Sequence, residues 1–453
     1  MAGEAAQAGG DYPQQERRRC RRYHPAEAAA QQAAPVNGSE TEADMAKNTF
    51  GNSVTITIFG ESHGAEIGAV LDGLAPGIPV KEEFIAEKLS LRRPAGAIST
   101  GRVEPDRFRI VSGVFEGRTT GTAVCILIPN ENTRSKDYSA TRFLARPGHA
   151  DYTANCKYHG YEDYRGGGHF SGRVTAALVA AGAIAQSALE DKGILIGTHI
   201  ARCAGIADRG FAGGAGSGSA AGTTPGSGSA AAVRSAGSAA GAGSIGSGGA
   251  VAGFADLNAD IRALSTSNFA VLDPAAAAVM RAQIERAAAE GDSVGGVLET
   301  AVTGFPAGVG EPWFDSLESV LSHALFSIPA VKGVEFGDGF ALADLRGSTA
   351  NDSFRMLDGK IVTATNRNGG INGGISNGMP LIFRCAVKPT PSIYKEQDTV
   401  DFSAGTDEKL LLKGRHDPAI VHRARVVVDS VCALVLCDML AQRFGTDFLG
   451  PEG

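Results

Sequence analysis

Tryptophan occurs once in the 453 residues, aromatic residues make up 6 %, and the net charge is −7. No basic stripe with interleaved aromatics is present, so a nucleic-acid partner is not expected. The seven cysteines, Cys20, Cys125, Cys156, Cys203, Cys385, Cys432 and Cys437, show neither CxxC nor metal-ligand spacing. An odd, scattered set with four members in apolar runs fits reduced thiols in a cytoplasm and no disulfide framework. HExxH is missing and no zinc ligand set stands out, so no metal is expected. GxxxxGK[ST] is missing too, which removes the phosphate loop of nucleotide hydrolases. No apolar run is long and clean enough to cross a membrane; Val426 to Leu440 comes nearest and is broken by Asp429 and Asp438. The first 44 residues hold a basic knot at Arg17 to Arg22 but no apolar core, unlike a secretory signal. They read as a disordered extension ahead of Met45.

Glycine, by contrast, is abundant at 61 residues. Many fall in residues 212–253, almost wholly Gly, Ala and Ser, with Arg234 the only charge. Such a stretch buries too little apolar surface to offset its ordering entropy. It contains GAGSIG at Gly241 to Gly246, yet no strand precedes this match and no amphipathic helix follows, so a dinucleotide fingerprint is rejected. The expected organisation is one catalytic domain from 45–211 and 254–446, interrupted by an insertion at 212–253.

Within that domain, Ser53 to Phe59 alternates as a half-buried strand and ends in Gly60-Glu61-Ser62-His63-Gly64. Helices are expected over Lys81 to Leu91, Val174 to Glu190, Leu317 to Phe326 and Ala419 to Arg443, and another from Asp273-Pro274 to Gly291. Strands are expected over Ala123 to Ile128 and Met379 to Val387. The elements alternate without a regular βαβ rhythm, which indicates an α+β fold with helices packed on antiparallel sheets.

The chemistry concentrates between Arg146 and Arg173, RPGHADYTANCKYHGYEDYRGGGHFSGR. Gly166 to Gly168 leave a backbone with no Cβ cover, open to an anion or flat ligand. A helix opening directly afterwards would aim amides and a positive dipole end at that ligand. Arg92-Arg93 and the clusters Gly369–Gly378, Lys388–Ser392 and Arg415–Asp417 add cations and hydroxyls, together fitting a pocket for a polyanionic small molecule. His63, His149, His169 and Asp417 are the candidates for proton transfer. Asp417 precedes a proline and reads equally as the N-cap of the last helix.

GESHG at Gly60–Gly64, SGVFEGRTTGTAVCILIPNENTRSKDYS at Ser112–Ser139, RPGHADYT at Arg146–Thr153, YRGGGHFSGR at Tyr164–Arg173, GGINGGISNG at Gly369–Gly378, KPTPSI at Lys388–Ile393 and GRHDP at Gly414–Pro418 together resemble the chorismate synthase family. The resemblance implies loss of phosphate from 5-enolpyruvylshikimate 3-phosphate to give chorismate in aromatic amino-acid synthesis. It also implies a requirement for reduced FMN without net redox change, a β-α-β sandwich fold and a homotetramer. By the same resemblance His63 protonates the leaving phosphate, His149 faces the flavin, and Asp417 takes the proton of flavin N5. Ser62 and Ser171 join the relay, and Arg92, Arg93, Arg173 and Arg415 hold substrate anions. FMN is then expected against Arg92, His169, Phe170, Ser171, Ala330, Gly373, Lys388, Pro389, Thr390, Pro391, Ser392 and Arg415. Where the family commonly has Arg-Ser-Ser-Ala-Arg-Glu, this chain has His169-Phe170-Ser171-Gly172-Arg173-Val174; Ile98 and Pro329 also depart from the common residues. No nicotinamide site is evident, so reduced FMN is expected from an external flavin reductase. Two rivals are a catalytically idle relative serving as an interaction protein and a nucleotide-binding phosphotransferase; the intact histidines and the missing phosphate loop speak against them.

Overall fold

The computed structural model describes residues 48–94, 96–99, 105–131, 141–211, 249–412 and 416–451. The N-terminal extension, most of the Gly/Ala/Ser stretch with its GAGSIG, and Arg415 lie outside them. The first sheet is built from β1 (Thr49–Phe50), β2 (Thr55–Gly60), β3 (Glu66–Asp72), β4 (Arg109–Ser112) and β5 (Val124–Pro129), in the order β1-β2-β3-β5-β4. The second contains β6 (Leu195–Cys203), β7 (Ile206–Ala207), β8 (Gly296–Thr303), β9 (Val331–Phe336) and β10 (Leu381–Val387), in the order β9-β10-β8-β6-β7. All pairings in both sheets are antiparallel.

The helices that frame the core and its clefts are α1 (Glu82–Arg92), α2 (Asp151–Tyr158), α3 (Thr175–Asp191), α4 (Gly249–Leu264), α5 (Pro274–Ala289), α6 (Leu317–Phe326) and α7 (Val421–Phe444). Helix α3 packs on β3 and β5 of the first sheet, and α7 packs on β6 and β8 of the second. The two helices also pack on each other, which makes the expected sandwich of sheet, helices, sheet. Their closest approach is at Gly182, where an added Cβ would stand 2.3 Å from Ser430 Cβ. Only a residue without a side chain lets the backbones meet so tightly.

Both middle-layer helices are buried along most of their length, and most of their residues are apolar. Gly172–Asp191 is long and apolar enough for a membrane span, contrary to expectation, but 89 % of its most apolar window is buried inside the fold. The acids of α7 are buried with partners. Asp438 accepts from the amides of Asn52, Ser53 and Val54 at 2.7–3.1 Å, and Asp429 accepts from Thr198 Oγ1 at 2.6 Å.

Three local expectations are corrected. Helix α4 begins at Gly249, within the stretch assigned to the insertion, and buries Leu257, Ile261 and Leu264. The three glycines do not open a helix, since two 3-10 turns, Arg165–Phe170 and Gly172–Val174, precede α3. Asp417 is not the cap of α7; the helix begins at Val421 with Ile420 at its N-cap and no side-chain cap.

Candidate active site

A cavity of about 860 Å³ opens where the C-terminal end of α1, the glycine segment before α3, the loop after α6, the end of β10 and the entry to α7 converge. Among the described residues, six cationic side chains line it, Arg92, Arg93, Arg173, Lys332, Lys388 and Arg423, against two carboxylates, Asp106 and Asp417. A cation-rich recess in an acidic chain favours a polyanionic ligand. Part of the wall is apolar and buried, with Ile56, Leu178, Val427 and Val431.

Of the glycine triplet, Gly166 lines the cavity, and Gly167 and Gly168 are buried behind it. Gly166, Gly167 and Gly168 have φ of 60°, 84° and 52°, the left-handed region that side chains resist. A Cβ on Gly166 would lie 2.2 Å from His63 Cε1, and one on Gly167 would lie 3.0 Å from His149 Cε1. The missing side chains therefore seat two imidazoles, one on each of two consecutive glycines. Gly168 allows a third close approach, to the Asp163 carbonyl.

His63 is 8 % exposed behind Gly166, and its Nδ1 is 3.1 Å from Ser62 Oγ. Ser62 Oγ is also within 3.2 Å of the Arg165 and Gly166 carbonyls. Neither Ser62 nor His63 is among the residues lining the cavity; they back its glycine wall. His149 lines it, with Nδ1 3.1 Å from both Arg146 Nη2 and Asp151 Oδ1. Burial opposes ionisation of Asp151, but hydrogen bonds from Arg146 and His149 overcome it and hold the carboxyl well below its usual range. His169 Nδ1 donates to the Gly60 carbonyl at 2.8 Å, which fixes the orientation of the ring.

Arg173 is engaged by the protein itself. Its Nε donates to Asn130 Oδ1 at 2.9 Å, Nη2 to the Pro129 carbonyl at 3.0 Å, and Nη1 to Asp106. Arg92 Nη2 in turn donates to the Arg173 carbonyl at 3.2 Å. On the opposite side, Ala330 holds a left-handed φ of 75° and accepts from the Lys388 amide at 2.9 Å. That contact pins the end of β10 beside the loop after α6, and Lys388 Nζ reaches the Gly148 carbonyl.

Phe170, Ser171, Thr390, Pro391 and Ser392 join the lining as well. Pro389 is not among the lining residues, although its neighbours on both sides are. Gly373 does not line it either and is exposed at the tip of the hairpin joining Ile371–Asn372 to Ile375–Ser376. Sequence reasoning gave no separate role to His416, Arg423, Lys332 or Asp106, and named Asp151 without pairing it with Arg146. His416 follows Arg415 directly and was open to selection; Arg423 lies inside an apolar helix and gave no signal.

Three buried polar atoms on lining residues, Arg93 Nε, Thr390 Oγ1 and His416 Nε2, have no partner among the described residues. Burial and the nearby Arg146 lower the pKa of His416, keeping it neutral near pH 7. Unpaired buried donors and acceptors are costly, and a bound polar molecule would remove that cost. With the six cations and the apolar part of the wall, they fit a phosphorylated aromatic cofactor such as a flavin nucleotide.

The chorismate synthase family model matches residues 54–441. Chorismate synthase of Thermococcus kodakarensis is 42 % identical over 393 residues, covering 87 % of this chain and 97 % of that protein. That of Methanosarcina mazei is 40 % identical over 409 residues, covering 90 % and 99 %. A solved chorismate synthase crystal structure superposes with a TM-score of 0.63 at 25 % identity, covering 87 % of this chain and 94 % of that one. The family consists of lyases of aromatic biosynthesis that act on a small-molecule substrate and use a flavin. With matches of this extent in both sequence and fold, the chain belongs to the chorismate synthase family.

Proposed function

We propose that this cavity eliminates phosphate from 5-enolpyruvylshikimate 3-phosphate to form chorismate, with reduced FMN as cofactor. The observation that carries the proposal is the pair of histidines seated on Gly166 and Gly167 beside a cation-rich cavity that also presents Asp417. In the reaction one C–O and one C–H bond break and one C=C bond forms, so phosphate leaves with its bonding electrons and a proton must be taken up. Reduced FMN, when bound, supplies an electron-rich ring that assists the cleavage and ends the cycle reduced. Arg92 and Arg93 at the end of α1 are suited to the phosphate and carboxylates of the substrate, together with Arg415. His63, tied to Ser62 and packed on Gly166, would deliver a proton to the departing phosphate. His149, oriented by Arg146 and Asp151, and Asp417, oriented by Arg423, would hold and move the protons that the bound flavin exchanges. Lys388, Thr390 and Ser392 at the end of β10 supply donors for the cofactor, while the apolar part of the wall keeps water from the reduced ring.

Phe354, Met356 and Ile361 are 64–68 % exposed on one hairpin, which favours burial against further copies in a homotetramer. External supply of reduced FMN and a cytoplasmic location complete the proposal. Asp417→Asn tests the site: turnover is expected to fall by about 10²–10⁴-fold, the usual weight of a proton-transfer group. Melting temperature and FMN affinity should be nearly unchanged. Wild-type turnover in this variant would remove Asp417 from the mechanism.

A further inference from the structure

Arg423 lies in the first turn of α7, lines the cavity, and has a side chain only 18 % exposed. Its Nη1 donates to Asp417 Oδ2 at 2.6 Å, and its Nε donates to the carbonyl of Arg92 at 2.7 Å. One planar guanidinium therefore grips two different walls of the cavity. The carbonyl belongs to the last residue of α1, where helix carbonyls lack intrahelical partners and accept readily from a cation. The carboxylate belongs to the irregular segment ahead of α7, where no regular backbone pairing sets its direction.

We propose that Arg423 is a positioning residue for the elimination. It fixes the carboxylate plane of Asp417 and locks that group to the arginine-bearing end of α1. The Arg423 side chain thereby helps to set the distance between the proton-transfer group and the substrate-binding arginines. Lysine cannot reproduce this, since an ammonium is a point donor and not a planar fork. The inference rests on the role given to Asp417 above, since Arg423 acts through Asp417.

The test is a double-mutant cycle on kcat in the full chain, measured anaerobically with reduced FMN and substrate. Arg423→Met is expected to lower kcat by about 10–10²-fold, in the range of misplaced catalytic groups, with KM nearly unchanged. Arg423→Lys should recover part of the loss by keeping a cation on Asp417. The double variant Asp417→Asn/Arg423→Met should be no slower than Asp417→Asn alone, because the orienting contact has nothing left to orient. Multiplying losses, a defect confined to KM, or wild-type kcat in Arg423→Met would each overturn the inference while leaving Asp417 in place. A silent Asp417→Asn would instead overturn the role of Asp417 and this inference with it. If Arg423→Met does not fold, the same cycle with Arg423→Gln applies the same criteria.

Discussion

At the scale of single residues, the three glycines are explained by what stands next to them. Gly166 combines a positive φ with an imidazole 2.2 Å from its absent Cβ. Gly166→Ala therefore meets both backbone strain and a clash, and His63 must move. We expect a loss of about 1–3 kcal/mol in stability together with a marked fall in kcat, checked by thermal unfolding and anaerobic turnover. Gly172→Ala serves as the comparison, because nothing lies within 4 Å of its Cβ position and its φ is not positive. Equal effects from the two substitutions would show that the packing of His63 is not what Gly166 provides.

At the scale of elements, the second sheet carries a buried charge cluster that also reaches α5. His199 on β6 faces Glu299 on β8 across the pair, with Nε2 3.0 Å from its carboxylate and Nδ1 2.9 Å from Asp208. Asp208 also accepts from the amides of Leu272 and Asp273, the latter the N-cap of α5. Burial opposes charge on His199, but the two carboxylates prevail and raise its pKa, while both carboxyls are lowered by the same contacts. A histidine with a raised folded pKa contributes fully below its unfolded value of about 6.5 and loses that contribution as pH rises through the folded one. The carboxylates contribute above their unfolded values of about 4 and lose it as pH falls. Stability should thus be greatest between these limits and decline on the alkaline side. Urea unfolding from pH 6 to 9 checks this, and His199→Gln should flatten the decline; an unchanged slope in that variant would exclude His199 as its source.

Elements were legible in the chain wherever one face met water or a cap marked the start. Helix α6 has the expected bounds because Ser316 accepts from the Ser319 amide at its start, and β2 shows itself by the alternation of Ile56 and Ile58 with threonines. Strands β6 and β8 went unassigned because long stretches of both are buried on both faces, which removes the alternation. Helix α4 was missed because its first turn, Gly-Ala-Val-Ala, continues the composition of the stretch before it. The site was legible as a set of residue types but not as an arrangement. His63 and Gly166 are far apart in the chain, and Asp417 and Arg423 meet across a helix start where no i,i+4 rule applies.

At the scale of the whole molecule, two antiparallel sheets clamp a buried helical layer, and the cavity sits where the ends of that layer reach the surface. Residues 213–248 lie in the connection between β7 and α4 and carry almost no apolar or charged pattern. Replacing them with a short Gly/Ser linker should leave turnover and soluble yield nearly intact, since loop length changes closure cost by only about 0.6 kcal/mol per doubling. Extending the deletion to 253 removes the first turn of α4 and should cost stability. Loss of soluble protein in the shorter deletion would show that the stretch supports the fold.

The proposed reaction sets one demand above the others: the flavin must be reduced, yet turnover must not consume it. The direct measurement is anaerobic: purified full-length chain, photoreduced FMN and 5-enolpyruvylshikimate 3-phosphate, followed for chorismate, phosphate and flavin absorbance together. One phosphate should be released per chorismate over many turnovers, with the flavin still reduced at the end. No product should form when oxidised FMN and NADPH replace the photoreduced cofactor. Phosphate release without chorismate, or flavin oxidised in step with product, would contradict the proposed chemistry.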